Sequence, residues 1–331
     1  MKKILTIIVP ILSAFILNSC QKDMVFDLYG DSFKIYYTTV DGRIISLNNA
    51  FSRKIISHTY ENGQGVIITN EAIKEIVESC FQGRIELTSI TIPDSVTLIE
   101  GSAFRGCSSL TSITIPDGVT SIGDYAFAGC SSLTSVTIGN GITSIGEGVF
   151  QGCTGELVVN CNIPSVSSYH RSAFYMSEFT KVTIGNSVTE IGKYAFYCTP
   201  LTSVTIPNSV TSIGEGAFYN CASLKNAIIP NSVTEIEMYA FCGCESLASV
   251  TISDRVTEIG EGAFYYCSSL TSVYCKPTTP PTGGSGMFSH YHDNEDKPIG
   301  CTIYVPRNSV SAYKSAEYWS DYKSYIEGYD F

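Results

Sequence analysis

Apolar side chains return on a fixed frame along most of this chain. In one copy they fall at Leu110, Ile113, Ile115, Val119, Ile122, Ala126, Phe127 and Cys130, with Ser, Thr, Asp and Gly between them. Phe81, Phe104, Phe127, Phe150, Phe174, Phe196, Phe218, Phe241 and Phe264 repeat the frame at intervals of 22 to 24 residues. A fixed period of that size marks a solenoid, in which one supersecondary unit stacks on the next. The alternation Ser112-Ile113-Thr114-Ile115 predicts a strand with both Ile side chains inward and Ser112 and Thr114 outward, because successive strand side chains point to opposite faces. Pro116 stops that ladder, having no N–H to donate. Val119 and Ile122 then return to the core through a second short strand or a 3₁₀ turn. Ala126, Phe127 and Cys130 have the spacing of one buried helical or turn face. The frame therefore predicts an α/β-type or mostly β solenoid whose Phe rings stack inside, each fully buried ring contributing roughly 1.5–3 kcal/mol.

Clean coils begin at Leu87, Leu110, Leu133, Leu201, Leu224, Leu247 and Leu270, and residues 66–275 are expected to form the solenoid. The first coil, 66–86, is degenerate. In the coil over 156–178, Val159 and Cys161 keep the strand frame, residues 162–172 lose it, and Phe179 to Ile184 restores it. A terminal coil exposes an apolar flank, so atypical capping segments are expected at both ends. Residues 20–65 are read as linker and N-terminal cap, with strands at Phe33 to Tyr37, Arg43 to Leu47 and Ile55 to Tyr60, then turn residues from Asn62 to Gly65. Residues 276–331 are read as a long surface loop, Lys276 to Gly300, followed by a C-terminal cap. There Ile303 to Pro306 recovers the strand phrase, and Tyr318, Tyr322 and Tyr325 lie at helical spacing.

Met1-Lys2-Lys3 and the apolar run Ile4 to Ile16 have the layout of a secretory signal, too short to span a bilayer as a helix. The run ends in Leu17-Asn18-Ser19-Cys20, which resembles a bacterial lipobox. Residues 1–19 are thus expected to be a lipoprotein signal peptide, with Cys20 lipidated and the membrane reached through that anchor. Cys20 is followed by Gln21 where an inner-membrane retention signal would carry Asp, so the expected location is the outer membrane, exposed at the surface.

The formal charge is −11, and cleavage would also remove Lys2 and Lys3. An acidic chain without a basic cluster argues against nucleic-acid partners, since polyphosphate would be repelled. Thirteen cysteines in an exported chain would ordinarily suggest a disulfide framework. However, Cys107, Cys130, Cys153, Cys221, Cys244 and Cys267 each follow a repeat Phe by three residues, with Cys198 one place earlier in its coil. Recurrence at one repeat position indicates packing, and these thiols are expected to be buried and reduced. Aligning Val273 with Ile303 sets Cys275 and Cys301 four residues apart along neighbouring strands, about 13 Å, too far for a disulfide.

The phrase running nearly intact over Leu87 to Cys107 and Leu201 to Cys221 resembles the BspA-like leucine-rich repeats. That resemblance covers about 66 to 275. It implies a leucine-rich repeat right-handed superhelix of about 23-residue coils with N- and C-terminal caps. It also implies a bacterial surface protein that binds host or neighbouring macromolecules, adhesion being the best-attested role. The family has no shared catalytic residues, so the chain is expected not to be an enzyme and to use no cofactor.

The candidate binding face is the outward side of the long strands: Ser112, Thr114, Ser135, Thr137, Lys181, Thr183, Ser203, Thr205, Asn226, Ile228 and Tyr274. A flat row of hydroxyls can bond an extended protein or glycoprotein ligand at little ordering cost. Alternatively, Thr simply favours strands and pairs with its neighbours across the sheet. The interruptions at Lys181, Asn226, Ile228 and Tyr274 matter most, because specificity needs variation. His290-Tyr291-His292-Asp293-Asn294-Glu295 groups metal-ligand types but lacks the helical His-Glu-x-x-His spacing, and a solvated loop is the expectation. Two further function classes stay open: a scaffolding subunit of an outer-membrane nutrient-uptake complex, and an enzyme built on the His290 segment.

Overall fold

A computed structural model describes residues 30–47, 54–166, 168, 172–292, 295–298 and 300–331. It is a β-solenoid with little helix, each coil running through a long strand, a turn, a two-residue strand and a second turn. Long strands Ser112–Ile115, Ser135–Ile138, Thr154–Val159, Glu178–Ile184 and Ser203–Thr205 form one parallel sheet. Asn226–Ile228, Ser249–Ile252, Ser272–Cys275, Thr302–Pro306 and Ile326–Tyr329 form a second. The pairing is in register with the repeat, so Ile113, Val136, Leu157, Val182 and Val204 make one inward column. The two-residue strands stack likewise, from Glu75–Ile76 to Ser144–Ile145 and from Glu190–Ile191 to Thr282–Gly283. At Ser112–Ile115 the inward Ile113 and Ile115 are buried and Ser112 and Thr114 exposed, as the alternation predicts.

The Phe segment is a turn and not a helix. Its backbone bonds run between coils: Phe104 N–H donates to the Ala126 carbonyl and Phe127 N–H to that of Val149. This third side of each coil therefore meets its backbone requirement from the neighbouring coil, as buried amides must. The turn needs left-handed residues two before and two after the Phe, for example Tyr125 at φ 56° and Gly129 at φ 75°. At the earlier of these sites Tyr and Gly alternate along the chain: Tyr125 then Gly148, Tyr194 then Gly216, Tyr239 then Gly262. Each Tyr ring lies over the Gly of the next coil, leaving 2.4–2.6 Å for a Cβ there. Its hydroxyl bonds the preceding Glu: Tyr125 to Glu147, Tyr194 to Glu215, Tyr239 to Glu261.

The Phe rings form one continuous stack from Phe81 to Phe264 and on to Phe288, with centroids 5.0–5.6 Å apart and planes within 16°. Phe174 of the irregular coil keeps its place in the stack, and Phe179 packs edge-on against it and Phe150. The buried thiols have a common role. Cys107, Cys130, Cys153, Cys221, Cys244 and Cys267 each point Sγ at the carbonyl of the Phe one coil earlier, at 3.0–3.3 Å. In the coil of Cys198, Thr199 takes that place and bonds Phe196 O, while Cys198 sits half-buried at φ 55°. Cys275 and Cys301 are free and buried, and Val273 stands opposite Ile303 as the alignment requires.

Both caps differ from expectation in detail. Lys34–Thr39, Ile55–Glu61 and Gln64–Thr69 form an antiparallel sheet that closes onto Leu87–Ile90. Arg43 to Leu47 is irregular and not a strand, although Ile45 is buried. The turn residues Asn62 and Gly63 join the hairpin, and the next six residues are its second strand. At the other end, residues 276–300 are not a surface loop. Thr282–Gly283 pairs with Glu258–Ile259, Met287 and Phe288 are fully buried, and Ser289–His292 forms a hairpin with Glu295–Pro298. The residues from 318 to 325 do not form one helix. A single helical turn pair, Val310–Ser315, precedes a 3₁₀ turn at Trp319–Tyr322. Tyr313, Trp319 and Tyr322 are buried, with Trp319 Nε1 donating to Pro281 O at 2.8 Å and Tyr313 Oη to Pro277 O at 2.8 Å. Tyr318 is exposed and Tyr325 half-buried. The Phe stack ends on Trp319 and Tyr322.

Candidate functional site

Parallel in-register pairing turns the outward strand positions into straight rows. In the first sheet one row is Ser112, Ser135, Glu156, Lys181 and Ser203, and the next is Thr114, Thr137, Val158, Thr183 and Thr205. In the second sheet the corresponding rows are Asn226, Ser249, Ser272 and Thr302, and Ile228, Thr251, Tyr274, Tyr304 and Glu327. All eleven residues of the expected face thus lie on one side of the strands, in two groups divided between Thr205 and Asn226.

Hydroxyls elsewhere on the coil are committed to the fold. Thr97, Thr111, Thr120, Thr134, Thr143, Thr202, Thr211, Thr257 and Thr271 each donate to a backbone carbonyl of the preceding coil, at 3.0–3.2 Å. On the outward rows, the side-chain hydroxyls of Ser112, Thr114, Ser135, Thr137, Thr183, Ser203 and Thr205 make no hydrogen bond to another described residue. Thr114 stands directly opposite Thr137 and Thr183 opposite Thr205, the cross-strand arrangement that strand-favouring Thr adopts, without a hydroxyl bond between them. At the first coil such bonds are made: Ser89 and Thr88 bond Thr38 Oγ1 at 2.6 Å, and Thr91 exchanges bonds with the Tyr36 backbone. Those rungs are covered by the N-terminal cap.

The interruptions differ in kind. Lys181 Nζ meets Glu156 Oε1 at 3.0 Å, an exposed pair whose contribution to stability is about 0–1 kcal/mol. Asn226 Oδ1 accepts from Ser249 Oγ at 3.3 Å. Ile228 is 69% exposed. Tyr274 stacks on Tyr304 with centroids 5.1 Å apart and planes 17° from parallel, and Tyr329 meets both rings edge-on. Glu156 and Tyr304 were not among the expected residues. The strand frame at Val159 signals the first and the strand phrase at Ile303-Tyr304-Val305 the second, each next to a stretch where the repeat phrase lapses.

Burial pushes the thiols of Cys221, Cys275 and Cys301 up to about 12, which leaves them protonated at neutral pH and unsuited to nucleophilic or metal chemistry. Among the described residues no three His, Cys, Asp or Glu side chains are grouped to hold a metal ion. His290, Tyr291 and His292 belong to the C-terminal hairpin, whereas Asp293 and Asn294 lie outside the described residues, as does Cys20. Among the described residues no helix is long and apolar enough to cross a membrane.

The model of the BspA type leucine rich repeat region matches the chain in six copies, over residues 74–199 and 189–293. Among solved structures, a leucine rich cell surface protein from Faecalibacterium prausnitzii A2-165 is similar, at 23% identity and a TM-score of 0.39. The match covers 92% of this chain and 98% of that one. A leucine-rich repeat protein from Bacteroides ovatus ATCC 8483 is 21% identical with a TM-score of 0.30, covering 84% of this chain and 91% of that one. The T. pallidum leucine rich repeat protein is 26% identical with a TM-score of 0.30, covering 60% and 70%. No curated protein matches the chain.

Proposed function

The chain belongs to the BspA-type leucine-rich repeat family, and from that premise we propose that it is a lipid-anchored, surface-exposed binding protein. It holds the outward rows of its long strands against a protein or glycoprotein of a host or neighbouring cell. The observation that carries this reading is the division of labour among hydroxyls. Thr residues at two other repeat positions bond the preceding coil, while the hydroxyls of Thr114, Thr137, Thr183 and Thr205 on the outward rows make no hydrogen bond to another described residue. Such groups are solvated donors and acceptors on a preformed sheet, so a partner can be met without ordering the surface first. The Glu156–Lys181 pair and the Ile228 to Tyr274 region supply the departures from uniformity that selectivity needs.

The test is capture of extracellular-matrix and mucin glycoproteins by the full chain, compared with variants Lys181→Glu and Thr183→Lys. Retained melting temperature with at least about tenfold weaker capture supports the outward rows as the binding face. Capture that both variants leave unchanged places binding elsewhere and overturns this reading.

A further inference from the structure

Three Tyr–Glu pairs stand at the same place in the coil, and two of them are met by a cation of their own chain. Lys193 Nζ bonds Glu215 and lies 4.9 Å from the Tyr194 centroid, while Tyr194 donates to the other oxygen of the same carboxylate. The Arg105 guanidinium lies 5.6 Å from the centroid of Tyr125, whose hydroxyl donates to Glu147. In the third pair Tyr239 donates to Glu261 at 3.1 Å. The residue before this Tyr is Met238, where Lys193 stands two coils earlier. The residue after the preceding Phe is Tyr219, where the first pair has Arg105, and its ring meets Tyr239 edge-on. Glu261 is exposed and forms no ion pair with a described residue.

A cavity of about 180 Å³ opens beside this third pair, lined by Tyr239, Glu261, Gly262, Tyr265, Ser285 and Gly286. From Tyr194 to Gly262 this position alternates Tyr and Gly, but Gly262 is followed by a second Gly, Gly286. A Cβ on Gly286 would have only Tyr265 Cδ2 and Ser289 Cβ within 4 Å, at 3.8 and 3.9 Å, so no ring closes over it. The polar lining is rich in acceptors. Tyr239 has committed its proton to Glu261, the carboxylate offers lone pairs alone, and Ser285 can serve either way. Phenol rings beside a carboxylate favour a positively charged donor over an anion or an apolar group. Negative charge is also in surplus nearby, since burial and the carboxylates of Glu258 and Glu237 hold the Glu235 carboxyl above its ordinary value. The flanking cations in sequence do not offset it: Arg255 forms no ion pair with Glu261, and Lys276 lies by Phe331, 5.9 Å from its centroid.

We infer that this cavity takes the ammonium or guanidinium of a lysine or arginine side chain from a partner protein. The partner supplies to Tyr239 and Glu261 the charge that Lys193 supplies to Tyr194 and Glu215 within the chain. The cavity lies on the Phe-turn side of the solenoid, so it is a second contact surface, separate from the outward strand rows.

The experiment titrates the full chain with end-blocked Gly/Ser hexapeptides that carry one lysine, one arginine or one norleucine, read by NMR. Binding of the lysine or arginine peptide, and not of the norleucine peptide, is expected. Glu261→Gln should weaken it about tenfold or more, the scale of one hydrogen bond to a charged group. Met238→Lys, which offers a cation from within as Lys193 does, should weaken it likewise. Glu317→Gln removes a charge from the C-terminal cap and should leave affinity unchanged. All three replace exposed side chains, and an unchanged melting temperature checks folding. Failure of both cationic peptides to bind overturns the inference, as does equal binding of the norleucine peptide or binding that either of the first two variants retains. Equal weakening by Glu317→Gln marks unspecific attraction to an acidic chain and overturns it too. Lys297 stands opposite His290 in the adjoining hairpin. Binding that appears only after Lys297→Ala would mean that the chain fills its own cavity, which sinks the partner. None of these variants touches the outward rows, so capture through those rows stands or falls separately.

Discussion

Tyr194 lays its ring across Gly216 of the following coil, where a Cβ would come within 2.6 Å of two ring carbons. The same Tyr sits at φ 57° and Gly216 at φ 58°, so two constraints coincide at the Gly. A side chain there must take the left-handed conformation and displace the ring, which in turn breaks the Tyr194–Glu215 hydrogen bond at 2.8 Å. Gly216→Ala is expected to cost about 1–3 kcal/mol. Adding Tyr194→Ala removes the obstruction, so the double variant should be less destabilised than the two single costs together. Additive costs in a denaturant double-mutant cycle would mean that ring and Gly are not coupled.

Core and face separate cleanly in a second comparison. Phe127 is fully buried between Phe104 and Phe150, and Phe127→Ala should cost about 3–5 kcal/mol. Thr114 is exposed with its hydroxyl uncommitted, and Thr114→Ala should cost under about 1 kcal/mol. Equal losses in urea unfolding would mean that the inward and outward assignments are reversed.

Stability should fall in alkali for a reason located in the thiols. Burial raises Cys221 and Cys275 from 9.0 to about 12. The folded thiol keeps its proton where the unfolded one ionises. Each therefore contributes stability that is fully present below about pH 9 and lost as pH rises towards 12. Unfolding midpoints should be level from about pH 7 to 8 and drop above pH 9, with a shallower drop in Cys221→Ala. A flat profile to pH 11 would contradict buried, protonated thiols.

For the anchor, Cys20→Ala is expected to move the protein from the membrane fraction to the soluble one. Extraction of the variant only by detergent would remove the case for lipidation at Cys20.

The periodic part of this fold was readable because one residue type at one position has one job in most coils. Phe at a fixed interval stacks, and Cys three residues later turns its thiol to a carbonyl, wherever the phrase repeats. Legibility failed where a position keeps its place but changes its neighbours. Phe288 lies 24 residues after Phe264 and continues the stack, yet the Pro- and Gly-rich stretch before it reads as a loop. Ser89 and Thr91 match the outward rungs in sequence, but the cap strand Lys34–Thr39 covers them through contacts more than 50 residues apart. Tyr318, Tyr322 and Tyr325 suggest a helix by spacing, whereas Trp319 and Tyr322 are instead drawn in to close the Phe stack. On the binding face, alternation sufficed to name the outward positions. Which hydroxyls are committed to the fold depended on hydrogen bonds between coils, which spacing does not encode.

The breaks in strand pairing are staggered. The long strands lapse between Leu87–Ile90 and Ser112–Ile115 and again between Ser203–Thr205 and Asn226–Ile228, and at both places the two-residue strands remain paired. The two-residue strands lapse between Ser144–Ile145 and Glu190–Ile191, where the long strands run unbroken through Thr154–Val159 and Glu178–Ile184. The Phe stack crosses every one of these joints. As in bonded masonry, no cross-section cuts all the seams at once. A tensile load applied along the solenoid axis, such as drag on a tethered molecule, finds no plane on which the coils part without pulling an intact ladder open. Irregularity in one wall of the solenoid is thereby tolerated without making a hinge.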